Sequence, residues 1–135
     1  MTKISRRFVL LGTAILASLA LYAAVGADAA GTFAAHAQRP GYDAGALELK
    51  GRGGYTTARP QAELRVVVCL QKRLGGRSFS VRCATATAAG KRVTAEVLVP
   101  GCVKGTWRTT ATGEALNKKG AWVHRATATS APFRC

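Results

Sequence analysis

Few residues in this chain are equipped for chemistry. Its 135 residues include two histidines (His36 and His124), six acids and four cysteines (Cys69, Cys83, Cys102 and Cys135). General acid–base catalysis needs a titratable group held beside a partner that tunes it or clamps the substrate. Asp43, Glu48, Glu63, Glu96 and Glu114 stand singly, with no two at close spacing. A nuclease-like set can be assembled by residue type from Glu96, His124 and Arg108, but no spacing joins the three. No catalytic or cofactor-binding residue is therefore assigned, and the chain reads as a non-enzyme. The cysteines form no C-x-x-C, and His36 and His124 are the sole additional soft ligands, so no zinc pattern is present and no metal site is expected. The chemistry left is thiol oxidation. An even cysteine count in a short exported chain predicts two disulfides.

Export is read from the first residues. Lys3, Arg6 and Arg7 precede an uncharged stretch from Phe8 to Val25, and Ala27-Asp28-Ala29 offers a small-x-small cleavage site. Residues 1–29 are thus expected to be a signal peptide, with cleavage after residue 37, behind Ala35-His36-Ala37, as the alternative. Ser5-Arg6-Arg7-Phe8-Val9-Leu10 also fits a minimal twin-arginine pattern, so either the general or the twin-arginine route fits. About 18 apolar residues could just span a bilayer. Gly12, Thr13, Ser18 and several alanines dilute the stretch, so the protein is not read as membrane-embedded, and no cysteine follows for lipid attachment. Removing Lys3, Arg6, Arg7 and Asp28 leaves 17 basic and 5 acidic residues out of 20 and 6.

The elements that must position the cysteines come next. Residues 30–61 are polar and interrupted by Gly31, Gly41, Gly45, Gly51, Gly53, Gly54, Pro40 and Pro60. Such a segment buries too little to offset its ordering entropy, and is expected to be a flexible arm. Within it, Ala46 to Lys50 alternates like a short strand. That strand either packs on the edge of its own domain or adds to a partner's sheet. From Ala62 the pattern turns to strands. Leu64, Val66, Val68 and Leu70 share one face; Gly75-Gly76 marks a hairpin. Phe79, Val81 and Cys83 alternate, as do Val93, Ala95, Val97 and Val99, and Pro100-Gly101 ends that run. Two further strands are expected near residues 106–112 and 121–130, joined by Asn117-Lys118-Lys119-Gly120. Val- and Thr-rich strands with turns every 10 to 15 residues predict an all-β fold: a small antiparallel immunoglobulin-like sandwich over residues 62–135.

Register creates a conflict for the first disulfide. A two-residue turn at Gly75-Gly76 puts Val68 opposite Cys83 and leaves Cys69 on the other face. A three-residue loop or a bulge would bring Cys69 and Cys83 together. Three connectivities are open, and Cys69–Cys83 with Cys102–Cys135 is favoured. Trp107 and Trp122 are expected to fill the core, and His124 to sit half-buried with a hydrogen-bonded ring. The cations are spread evenly, with at most two adjacent, and aromatics are too sparse for a base-stacking platform, so no nucleic acid partner is expected.

Arg65-Val66-Val67-Val68-Cys69, Val81-Arg82-Cys83, Pro100-Gly101-Cys102 and Gly105-Thr106-Trp107-Arg108-Thr109, behind a signal and a glycine-rich arm, resemble the small secreted sandwich proteins of filamentous actinobacteria. The plan is most similar to the adaptor subunit of the Streptomyces umbrella toxin particles. In that family the adaptor joins a lectin-like subunit to the repeat-built spokes of a large polymorphic toxin used against competing bacteria. The resemblance implies a secreted protein with those two partners, and an arm contact made by Leu47, Leu49 and Tyr55. Two rival readings stand beside it. The chain is also similar in size and cysteine spacing to small two-disulfide subtilisin inhibitors, with Lys104 in Pro100-Gly101-Cys102-Val103-Lys104 as specificity residue. Its net charge also suits a cationic cell-wall-binding protein.

Overall fold

One long hairpin organises the molecule. The computed structural model describes residues 32–135; the expected signal peptide and the first residues of the arm, 30 and 31, lie outside the described residues. Seven strands follow in order: β1 (Phe33–Ala37), β2 (Gly41–Asp43), β3 (Glu48–Leu74), β4 (Arg77–Pro100), β5 (Thr106–Leu116), β6 (Trp122–Thr129) and β7 (Phe133–Arg134). All named strands pair antiparallel, and no helix occurs among the described residues. The fold is an all-β antiparallel sandwich.

The hairpin of β3 and β4 is too long to lie flat in one layer, and it breaks where its ladder fails. Register shifts fall between Thr56 and Gln61 and between Gln61 and Leu64. Pro60, which has no N–H to give a ladder, sits in that gap. Beyond the break the inward parity changes: Leu49 and Tyr55 point in before it, and Leu64, Val66, Val68 and Leu70 after it. Each half then builds a layer. The first half of β3 pairs with β1, β2 and the end of β4; the second pairs with β5 and the start of β4, and β5 carries β6 and β7. The sandwich therefore has a closed end at the bend and an open end. At the open end lie the turns at 44–47 and 75–76 and the loop at 101–105.

The flexible arm is a misreading of the sequence. Phe33–Cys135 is one unit, and residues 33–61 supply β1, β2 and the start of β3, so the boundary at 62 falls inside a strand. The glycines there serve close packing rather than mobility. A Cβ on Gly53 would lie 2.8 Å from Ala111 Cβ, and one on Gly51 2.9 Å from Leu70 Cδ2. Those side chains belong to the facing layer. Glycine lets the two layers approach where any side chain would hold them apart. The small apolar content of this segment misled because its partners across the core, Leu70, Val68 and Ala111, supply the bulk.

Both disulfides form, as Cys69–Cys83 and Cys102–Cys135. The register conflict is settled by a bulge, not a longer turn. Gly75 and Gly76 adopt positive φ (56° and 81°) in a two-residue turn that pairs Leu74 with Arg77. Ser80 then faces Gln71 while Arg82 faces Leu70, which leaves Val81 as the extra residue. That slip sets Cys69 directly opposite Cys83 on the outer face. The second bridge ties the loop after β4 to the last residue, beside β7.

Candidate protein-binding surface

The three residues expected to contact a partner separate sharply. Leu49 and Tyr55 are fully buried, and Leu47 is 63% exposed. The first two cannot touch a partner of the folded protein. Leu49 faces the core of the first layer, and the Tyr55 ring lies against Gly113 of the other layer, where an added Cβ would be 2.2 Å from ring carbons. The Tyr55 hydroxyl donates a hydrogen bond to the His124 carbonyl. Burial, with a smaller contribution from the negative charge of Glu114, pushes the Tyr55 phenol up to about 12.

Leu47 is held out by its turn. Asp43 Oδ1 accepts hydrogen bonds from the backbone N–H of Gly45 (3.0 Å) and Ala46 (3.2 Å), and its other oxygen pairs with Lys50 at 3.2 Å. The Ala46 N–H, followed by Lys50, holds the Asp43 carboxyl below the ordinary aspartate value. Leu47 itself has a φ of 54°, unusual for a branched side chain, and its carbonyl accepts from the Gly101 N–H at 2.7 Å. The neighbouring strand end therefore fixes the backbone that presents it.

Leu47 has company. The exposed large apolar residues are Tyr42, Leu47, Leu74, Phe79, Val81 and Val103. Every one lies toward the open end: Tyr42 and Leu47 flank the turn into β3, Leu74, Phe79 and Val81 flank the Gly75-Gly76 turn, and Val103 lies in the loop beside β7. Two anchors stiffen that loop. Trp107 Nε1 donates to the Val103 carbonyl at 2.8 Å, and Cys102 is bridged to Cys135. The closed end instead carries Arg59, Lys91, Lys118 and Lys119, all exposed. Sequence reasoning missed five of the six apolar residues. Phe79 and Val81 alternate as core residues would, and only the bulge and the overhang of the hairpin tip expose them.

Two further expectations need correction. Trp107 is in the core, but Trp122 lies half-buried on the outer face with the Arg65 guanidinium 4.0 Å over its ring. His124 is exposed rather than half-buried. Its φ of 56° falls where the β5–β6 register slips between Gly113 and Ala115, and its ring stacks on Phe33 at 4.0 Å. The stack fastens β1 to β6. Glu96, Arg108 and His124 do not converge: Glu96 pairs with Arg52, Arg108 Nε with Gln71, and His124 with Phe33. Among the described residues, no three His, Cys, Asp or Glu side chains gather as metal ligands.

No family model and no curated protein matches the chain. Solved structures do match in outline. One is the CARDB domain of a Pyrococcus furiosus protein in complex with di-metal ions, at 13% identity over 74% of this chain and 84% of that chain, with a TM-score of 0.36.

Proposed function

We propose that this is a secreted, non-enzymatic binding protein that works as the adaptor of a larger assembly, holding a partner at its open end. The observation that carries the reading is the gathering of six exposed apolar side chains at one end of a sheet braced by two disulfides. Solvent-exposed leucine, phenylalanine and valine cost solubility unless a partner covers them, and a rigid scaffold lowers the entropy lost on docking. The disulfides are consistent with an oxidising, extracellular compartment. In its finer form, resting on the sequence resemblance, the partners are a lectin-like subunit and the repeat-built spokes of an umbrella toxin particle.

The test is co-purification from culture medium. A tagged wild-type chain should bring down a lectin-like protein and a large repeat protein. A triple variant, Leu47→Asp, Phe79→Asp and Val103→Asp, should lose at least one of them while keeping its melting temperature, because all three side chains point into solvent. Retention of both partners would sink the open-end assignment.

The protease-inhibitor reading has one observation of its own. Lys104 is exposed on a loop pinned by the Cys102–Cys135 bridge and by the Trp107 bond to Val103. It predicts slow, tight inhibition of trypsin that Lys104→Gly abolishes.

A further inference from the structure

The outer face of the second layer carries a row that the adaptor reading does not use. In register across four strands stand Ser78 (β4), Arg73 (β3), Thr106 (β5) and Arg134 (β7). Residues directly opposite one another share a face, so all four side chains project from the same side. The next row on that face holds Ser80, Gln71 and Arg108. Between the rows, a cleft of about 400 Å³ is lined by Arg73, Ser78, Thr106 and Arg108, with Ser130 and Pro132 closing one side.

The arginines here have no ion-pair partner. Arg73 and Arg108 line the cleft and Arg134 stands beside it in the same row as Arg73; no ion pair among the described residues engages any of the three, and no acidic side chain lines the cleft. On this face Glu114 stands opposite Arg65, with which it pairs at 3.2 Å. Arg65 is eight residues from Arg73 along β3, roughly 27 Å at about 3.4 Å per residue. That exceeds the screening length of about 8–10 Å at ordinary salt. Arg108 is also pre-aimed. Its Nε donates to Gln71 Oε1 at 2.9 Å, which fixes the guanidinium plane and leaves its two terminal nitrogens free to donate.

We propose that this cleft binds the phosphate groups of a flexible polyol-phosphate polymer. Guanidinium groups bind phosphate oxygens in bidentate fashion; the Thr106 hydroxyl adds a neutral donor between Arg73 and Arg134, and Ser78 adds one on the far side of Arg73. Arg73 and Arg134 are two strands apart, about 10 Å, and Arg108 lies one row down, about 7 Å along its strand. The three cations therefore suit several phosphates along one chain rather than a single ion. A nucleic acid offers the same phosphates, but its bases would find no stacking partner here. Trp107, the aromatic residue at the cleft, turns its ring into the core and is 2% exposed. The assignment stands independently of the adaptor reading.

Titration calorimetry at fixed salt tests it with three probes: a short synthetic glycerol-phosphate oligomer, inorganic phosphate, and single-stranded DNA with the same number of phosphates. The oligomer should bind more tightly than either. Arg73→Gln with Arg108→Gln should weaken oligomer binding about tenfold or more, as loss of charge-assisted bonds requires. Lys118→Gln with Lys119→Gln removes the same charge at the closed end and should leave binding within about twofold. If the first pair fails to fold, Arg134→Gln with Thr106→Val replaces it, with the same tenfold expectation. Equal losses in the cleft and closed-end variants would reduce the effect to diffuse charge and overturn the proposal. It is likewise overturned by an oligomer that binds no better than inorganic phosphate, or by DNA that binds more tightly than the oligomer.

Discussion

Tyr55 shows how one side chain can set the terms for the fold around it. Its ring lies against the bare backbone of Gly113, and its hydroxyl reaches the carbonyl of His124, whose own ring stacks on Phe33. Gly113→Ala would push a methyl group to 2.2 Å from the Tyr55 ring, so one of the two layers must move. A loss of about 3 kcal/mol is expected in denaturant unfolding, at the upper end for overpacked cores. The phenol also makes stability depend on alkaline pH. The folded chain keeps the Tyr55 proton up to about 12, whereas an unfolded tyrosine releases it near 10. Between those values the folded state binds more protons, so stability must fall as pH rises, by about 1.4 kcal/mol per pH unit at full difference. The contribution is fully present below pH 10 and gone above the folded value. Tyr55→Phe should be less stable at neutral pH by about 1 kcal/mol, through the unsatisfied His124 carbonyl. Its unfolding free energy should nonetheless decline less steeply than wild type across pH 10–12. None of this was readable in the sequence. A tyrosine after Gly-Gly carries no sign of the layer that will cover it.

At the scale of elements, what the sequence reveals depends on whether the signal is local. The Gly75-Gly76 turn, the alternation from Leu64 to Leu70 and from Val93 to Val99, and the Asn117–Gly120 turn are all encoded by neighbours. Each forms where expected, with Asn117 Oδ1 accepting from both Lys119 and Ala121. Before Ala62 only the alternation at residues 46–50 was legible, and it opens β3 within the chain's own sheet; β1 and β2 were not, because their stability comes from residues far along the chain. β1 is held by pairing to residues 53–57 and by Phe33 on His124, a partner 91 positions away by residue number. The cysteines fall between these cases. Parity showed that a bulge or a longer loop was needed, and Val81 is the residue that supplies the bulge. The two bridges should differ in what they hold. Cys69 and Cys83 join strands already paired on both sides of them, whereas Cys102–Cys135 secures β7, which has only two register partners on β5. With its ends 33 positions apart, the second bridge is worth about 3–4 kcal/mol by loop entropy. Cys102→Ser with Cys135→Ser should cost that much in denaturant unfolding. Hydrogen exchange should speed up locally at 105–107 and 133–135, while the Cys69 region stays protected.

For the whole molecule, the fold itself bears on where the N-terminal boundary lies, because β1 is part of the first layer. Turns, exposed apolar side chains, the second disulfide and the arginines Arg73, Arg108 and Arg134 lie toward the open end; the bend, with Arg59, Lys91, Lys118 and Lys119, lies at the other. β1 runs along the first layer and brings Phe33 against both Tyr55 and His124, which closes the gap between the layers on that side. A signal-type cut after Ala37 would remove β1 entirely. The ladder edge from Gly53 to Thr57 would be bared, and the ring that covers Tyr55 lost. A cut after Ala29 leaves β1 whole. If the chain is exported as its sequence predicts, intact mass and N-terminal sequencing should therefore show it starting at residue 30. A chain shortened to begin at residue 38 should melt several degrees lower, because it loses the five-residue pairing of β1 and the half-buried Phe33 ring. If the exported chain begins at residue 38 and melts no lower than a chain beginning at residue 30, then β1 is an accessory of the precursor, and the closure it provides is not needed by the working molecule.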